Sequence, residues 1–104
     1  MSPFTIYTGC ATNNGYYLAL AVAARDEAQA MRAFRPWLKE RKQYGGAYTF
    51  KSGLTARMPD EQGDYPNDGG SGSVDLSRSR ALDLLDWPLR PMQIDAGSCP
   101  GAWR

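Results

Sequence analysis

The chain contains no histidine. That absence removes Ser-His-Asp and Cys-His catalysis, His-containing zinc sites and the commonest general base near neutral pH. Cysteine is scarce as well. Cys10 and Cys99 are the only two, too few for a four-thiolate zinc site within one chain and fewer than a small extracellular disulfide framework usually carries. Long hydrophobic runs are missing. The most apolar stretch, Tyr16 to Ala24, is nine residues against the roughly 20 that a membrane helix needs. Nothing basic precedes Arg25 to act as the n-region of a signal peptide. Neither charge sign prevails: twelve Lys and Arg against eleven Asp and Glu leave +1, so no general pull toward nucleic acid is expected. Phosphate-cradling G-x-x-x-x-G-K-[ST] and dinucleotide G-x-G-x-x-G patterns do not occur. The fifth residue after Cys10 is Gly15, where a phosphatase-type anion loop would need arginine.

What is present suits one ordinary globular domain spanning residues 1–104. Hydrophobic residues make up 42% and charged residues 22%, close to the usual soluble range. Eleven glycines and seven prolines make the chain loop-rich for its length. The charge is unevenly spread. Residues 25–57 hold eight basic and three acidic groups, +5, whereas residues 58–104 hold four basic and eight acidic, −4. With no spanning segment and few cysteines, a soluble cytoplasmic protein is expected, in the cytoplasm of the host cell if it is phage-encoded.

Phe4 to Thr8 alternates apolar and polar, a period-2 strand. Gly9 is expected to interrupt it with a bulge or bend. Asn13-Asn14-Gly15 is a tight-hairpin signal, and Tyr16 to Ala23 follows as a second strand. Leu18, Leu20 and Val22 share one face, Tyr17, Ala19, Ala21 and Ala23 the other. Both faces are apolar, so this strand is central. The alternative is a long helix over 17–34, since Ala and Leu are good helix formers. Asp26 with Gln29 forms an N-terminal capping box. The stripe Met31, Phe34, Leu38 continues a helix over 26–43. Pro36 either kinks that helix or splits it. Ala47–Lys51 and Leu54–Met58 read as a second hairpin around Ser52-Gly53, with Leu54, Ala56 and Met58 inward and Thr55 and Arg57 toward solvent. Residues 59–73 form a flexible, acidic, Gly-rich loop. Ser77 or Ser79 caps a short helix whose apolar face holds Ala81, Leu82, Leu84, Leu85 and the following Trp87. Residues 91–95 make the last strand. The expected fold class is α+β: a small, mostly antiparallel sheet, one long helix packed on one face, and a second short helix. The expected core is Phe4, Ile6, Leu18, Leu20, Val22, Met31, Phe34, Leu38, Phe50, Leu54, Leu82, Leu85 and Ile94.

Two groups of residues are candidates for contact. Asp60, Glu61, Asp64, Tyr65 and Asp68 lie in the acidic loop, which lacks the EF-hand calcium pattern. They read as a contact surface for a basic partner, as a solvated loop kept soluble by its charge, or as a weak ion site around which Gly63 and Gly69 would let the loop wrap. Arg32, Arg35, Lys39 and Lys42, with Arg25, fall within an arc of about 100° on the long helix. They suit phosphates or an acidic protein patch, or simply form the polar face that a surface helix needs. Cys10 reads first as a small buried hydrophobe, next as half of a disulfide with Cys99, and last as a nucleophile. Six tyrosines and three tryptophans exceed what so small a core can hold, which raises the prospect of an interface. No catalytic residue, metal site or cofactor is assigned. The function expected is a non-enzymatic protein-binding module, comparable in size and composition to small inhibitors or adaptors of phage or mobile elements. It would occlude a larger protein of basic or mixed-charge surface, and no membrane is involved. The alternatives are a nucleic-acid accessory protein using the basic helix face and a small carboxylate-dependent enzyme.

Overall fold

Alternation dominates the first 24 residues and builds the centre of the molecule. In the computed structural model, which describes residues 3–13, 15–41, 46–50, 53–66 and 74–94, strands β1 (Thr5–Asn13) and β2 (Tyr16–Ala24) pair antiparallel. Their register is unbroken from Thr5 opposite Ala24 to Asn13 opposite Tyr16. That leaves a two-residue connection, and Gly15 in it has φ +84°, the left-handed conformation that glycine adopts without steric cost. β1 does not end at Gly9, and no bulge forms there. The residue is small for another reason: a Cβ on Gly9 would lie 2.9 Å from Leu54 Cδ2 and 3.0 Å from Phe50 Cδ1. The alternative helix over 17–34 does not form, because residues 16–24 are strand.

Helix α1 (Glu27–Glu40) starts where its cap predicts. Asp26 Oδ1 accepts the Gln29 amide at 2.7 Å, and Gln29 Oε1 accepts the Arg25 amide at 2.8 Å. Pro36 neither ends nor divides the helix, which is continuous to Glu40 with Arg41 as its C-cap. Pro36 is exposed, so its ring meets solvent rather than the sheet. The expected turn around Tyr44 and Gly45 lies outside the described residues.

β3 (Thr49–Phe50) and β4 (Thr55–Arg57) do not pair with each other, contrary to the expected hairpin. Both run antiparallel to β1, β3 against Ala11 and Thr12, β4 against Ile6 to Thr8. They form one interrupted edge. β3 ends with Phe50 opposite Ala11, and β4 begins with Thr55 opposite Thr8. Leu54 packs on the α1 side and Thr55 is exposed, both as expected, but Arg57, opposite Ile6, is buried at 7% exposure because its face is covered too, while Met58 is 70% exposed and Ala56 is exposed. On the far side, β5 (Met92–Ile94) pairs antiparallel with β2. The sheet order is β3-β1-β2-β5, with β4 also on β1.

The sheet has a core on each face. Leu20, Val22 and Ala24 of β2 pack with Ala30, Phe34 and Leu38 of α1. Phe34 and Phe50 bring ring centroids to 5.1 Å at 52°, a tilted contact worth about 0.5–1.5 kcal/mol beyond area burial. On the opposite face, Ile6, Ala19, Ala21, Ala23 and Ile94 pack with Val74, Leu76 and helix α2 (Arg78–Asp86) through Ala81 and Leu84. Ser77 caps α2, its hydroxyl accepting the Arg80 amide at 3.2 Å. The protein is therefore α+β, with five strands and a helix on each face of the sheet. Two expected core residues lie outside both cores: Met31 of α1 is only half-buried and packs with neither cluster, and Leu82 is misplaced. Leu82 is 56% exposed, because the Ala81–Leu84 side of α2 is the side that faces the sheet. Among the described residues, no helix is long and apolar enough to cross a membrane.

Candidate functional site

Three surfaces carry the residues that are free to meet another molecule. The first holds the acidic segment, and much of its charge is used internally. Asp60 Oδ1 accepts the Gln62 and Asp64 amides at 2.9 and 2.8 Å, closing a turn in which Gly63 has φ +82°. Asp64 Oδ1 receives Arg78 Nη2 at 3.0 Å and Nε at 3.1 Å, and Arg78 Nη2 also donates to the Gln62 carbonyl. Tyr65 is half-buried and bridges to Leu76, and burial raises its phenol above the usual tyrosine range. Glu61 is exposed and makes no ion pair with a described residue. Asp68 lies outside the described residues. The fold thus gathers Asp60, Glu61, Asp64 and Tyr65 into one turn and commits two of the three carboxylates to holding it.

Arg57 anchors this segment from below. Its Nη1 donates to Val74 O at 2.7 Å and Thr8 Oγ1 at 3.4 Å. Its Nη2 donates to Pro66 O at 3.0 Å and Tyr65 O at 3.4 Å. All four acceptors are neutral. A buried cation is tolerable here because the terminal N–H groups of the guanidinium are satisfied.

The second surface is the outer face of α1. Arg32, Arg35 and Lys39 are exposed, and none makes an ion pair with a described residue. Lys42 lies outside the described residues. Arg25 is diverted over the Phe4 ring at 5.6 Å. Beside the cations runs a cleft of about 520 Å³, lined by Arg35, Pro36, Leu38, Lys39, Ala47 and Tyr48. Its walls are apolar, its charges are both positive, and among the described residues no carboxylate lines it. This cleft suits an anionic group attached to an apolar body.

The third surface, at the α2–β5 corner, is one that no sequence motif marks. Trp87 is 64% and Leu89 44% exposed; Leu82, 56% exposed, lies on the other flank of α2, within about 60° of Arg78 and Leu85. Trp87, Asp83, Asp86, Arg90 and Met92 help to line a cleft of about 490 Å³ between α2 and the approach to β5. Arg90 stacks over the Trp87 ring at 4.4 Å. Leu89 has φ +67°, strained for a residue with a branched side chain. Its amide donates to Ala23 O at 2.8 Å, which ties the turn to the end of β2. One sequence signal was available. On a helix of about 100° per residue, Leu82 stands beside Asp86 and at the edge of the Ala81–Leu84–Leu85 stripe.

Cys10 is disulfide-bonded, so the buried-thiol and nucleophile expectations fall away. Cys99, the only other cysteine, lies outside the described residues. Among the described residues, no group of three or more Cys, Asp or Glu side chains is placed to hold a metal ion. Compared with known protein families, curated proteins and solved structures, the chain matches none.

Proposed function

We propose that this chain is a protein-binding module of the small adaptor or inhibitor kind, and that it docks the outer face of α1 on an acidic, partly apolar segment of a partner protein. The observation that carries this reading is the α1 cleft. Arg35 and Lys39 flank apolar walls that include Pro36, Leu38 and Tyr48, with no carboxylate among the described lining residues to neutralise them. Unpaired surface cations attract acidic surfaces and speed encounter. An apolar side chain inserted between them supplies the desolvated anchor that gives binding its strength. The acidic turn is the weaker candidate, because Asp60 and Asp64 already serve as acceptors within it.

The test is the double variant Arg35→Glu with Lys39→Glu. Both side chains are exposed, so folding is expected to survive. A protein captured by the wild-type chain, then purified and titrated against it, should bind at least about tenfold more weakly to the double variant. Wild-type binding should itself weaken as salt rises. Unchanged affinity for the variant would refute the assignment.

A second reading rests on the same three exposed cations. If they track phosphates, short duplex DNA or RNA should bind with a log–log salt slope of about −0.9 per contact. No binding at low salt would remove that reading.

A further inference from the structure

The α2 side of the sheet holds a buried cation with no counter-charge among the described residues, and a cleft opens beside it. Arg57 is 7% exposed and forms no ion pair with a described residue. Its acceptors are one hydroxyl and three carbonyls. A guanidinium has five N–H groups. The four bonds use the terminal ones and leave the Nε–H without an acceptor among the described residues. No enclosed side-chain nitrogen or oxygen among those residues lacks a partner, so Nε touches open space. The space that Arg57 borders is a cleft of about 270 Å³, whose walls include Phe4, Ile6, Met58, Tyr65 and Leu85. Arg57 is the one charged side chain among the described residues that line it. Of the carboxylates in the neighbouring turn, Asp60 and Asp64 are engaged within it and on Arg78, and Glu61 does not line the cleft. The Phe4 ring carries Arg25 at 5.6 Å, so the next charge on that wall is positive as well. Met58 is 70% exposed, which makes the rim apolar.

We propose that this cleft binds a small organic acid: a single carboxylate on an apolar body about the size of one ring. A charge taken out of water is costly unless a counter-charge meets it, and the described residues of this cleft supply none. A carboxylate oxygen that accepts the Nε–H makes a charge-assisted bond, roughly twice as strong as a neutral one. Phe4, Ile6 and Leu85 receive the apolar body. The volume sets its size. Small-molecule pockets usually span about 300–1,000 Å³, so this one takes a ring with a short acid arm and excludes a long acyl chain. The four terminal N–H bonds stay in place, so Arg57 goes on holding its segment while the ligand occupies the fifth. Ile6, Tyr65 and Leu85 belong to the core on the α2 face, across the sheet from the α1 cleft, so the site does not depend on the docking reading.

Phenylacetate titrated into the full chain and followed by heteronuclear NMR tests this. The Arg57 Nε–H resonance and the methyl signals of Ile6, Met58 and Leu85 should shift together along one saturable curve. Phenylacetamide, the neutral isostere, should bind at least about tenfold more weakly. Acetate, which lacks the ring, should also bind at least about tenfold more weakly. Arg57 holds the fold as well, so the diagnostic substitution is at Met58, an exposed residue of the rim. Met58→Glu supplies the missing counter-charge from the chain itself and should weaken phenylacetate at least about tenfold. Met58→Leu should bind as the wild type does, and circular dichroism should show both variants folded. The α1 cleft also sets cations beside apolar walls, so Arg35→Glu with Lys39→Glu is the control and should leave the titration unchanged. Binding lost in that double variant would place the acid in the α1 cleft and overturn the proposal. So would equal affinity for phenylacetamide, a Met58→Glu variant that binds like the wild type, or no saturable shift by about 50 mM.

Discussion

Arg57 illustrates how far a single residue can depart from local pattern. In an alternating run from Leu54 to Met58 it belongs with the polar positions, yet it is 7% exposed. Alternation gives the period but not which faces are covered, and here both are: Leu54 packs toward α1 while Arg57 turns to the Thr8 and Val74 side. The guanidinium then becomes useful for its shape. It reaches Thr8 and Val74 with one nitrogen, and Tyr65 and Pro66 with the other. A lysine ammonium is a compact point charge and cannot span both pairs. Arg57→Lys is therefore expected to destabilise the protein by about 2–4 kcal/mol, since acceptors buried with Arg57 lose their donor. Arg32→Lys on the exposed face of α1 should change stability by less than about 0.5 kcal/mol. Urea unfolding of both variants checks this. Equal midpoints would show that Arg57 is not the anchor described.

Among the elements, those set by short-range chemistry were legible. The Asp26–Gln29 cap, the Asn-Gly hairpin and the two apolar faces of β2 each depend on residues a few positions apart. The β3–β4 edge was not, because its partner is β1, some 40 residues away in the chain. A Gly between two short apolar runs looks the same whether they pair with each other or in turn with a third strand. The exposure of Leu82 was legible in part: Ala81, Leu82, Leu84 and Leu85 span about 160° of α2, and Leu82 stands at the edge of that arc beside Asp86. The basic face of α1 was legible because its charges recur at helical spacing. Gly9 offers a test at this scale. Its missing Cβ is the space into which Leu54 and Phe50 fold where the edge is interrupted, and Phe50 is held from behind by Phe34. Gly9→Ala should destabilise by about 1–3 kcal/mol, the usual cost of overpacking. A strand interior otherwise favours alanine by about 0.5–1 kcal/mol, so a stabilised Gly9→Ala variant would show that the two side chains yield freely.

At the scale of the whole molecule, the sheet separates two faces of different character. The α1 face carries cations that make no ion pair among the described residues, and the α2 face carries the acidic turn and the exposed corner, so contacts can form on both without competing. The sheet that separates them is thin in large side chains at its centre, because β2 presents Ala19, Ala21 and Ala23 to the α2 side, with Tyr17 packing only at the margin. Covalent constraint therefore matters to this fold. Cys10, in the middle of β1, is disulfide-bonded and buried on that same face. A disulfide stabilises chiefly by restricting the unfolded chain, typically by about 2–4 kcal/mol. Such a bond persists in oxidising surroundings and is reduced in most cytosols, so the stability of this protein should depend on the redox state of its compartment. Excess dithiothreitol should lower the unfolding free energy of the wild-type chain by about 2–4 kcal/mol. Cys10→Ala should match the reduced protein and show no response to reductant. The comparison separates the cross-link from packing, because a small cavity at position 10 would weaken the variant without abolishing the wild-type response. Identical unfolding curves for the wild type with and without reductant would mean that the noncovalent core alone holds the two helices on the sheet.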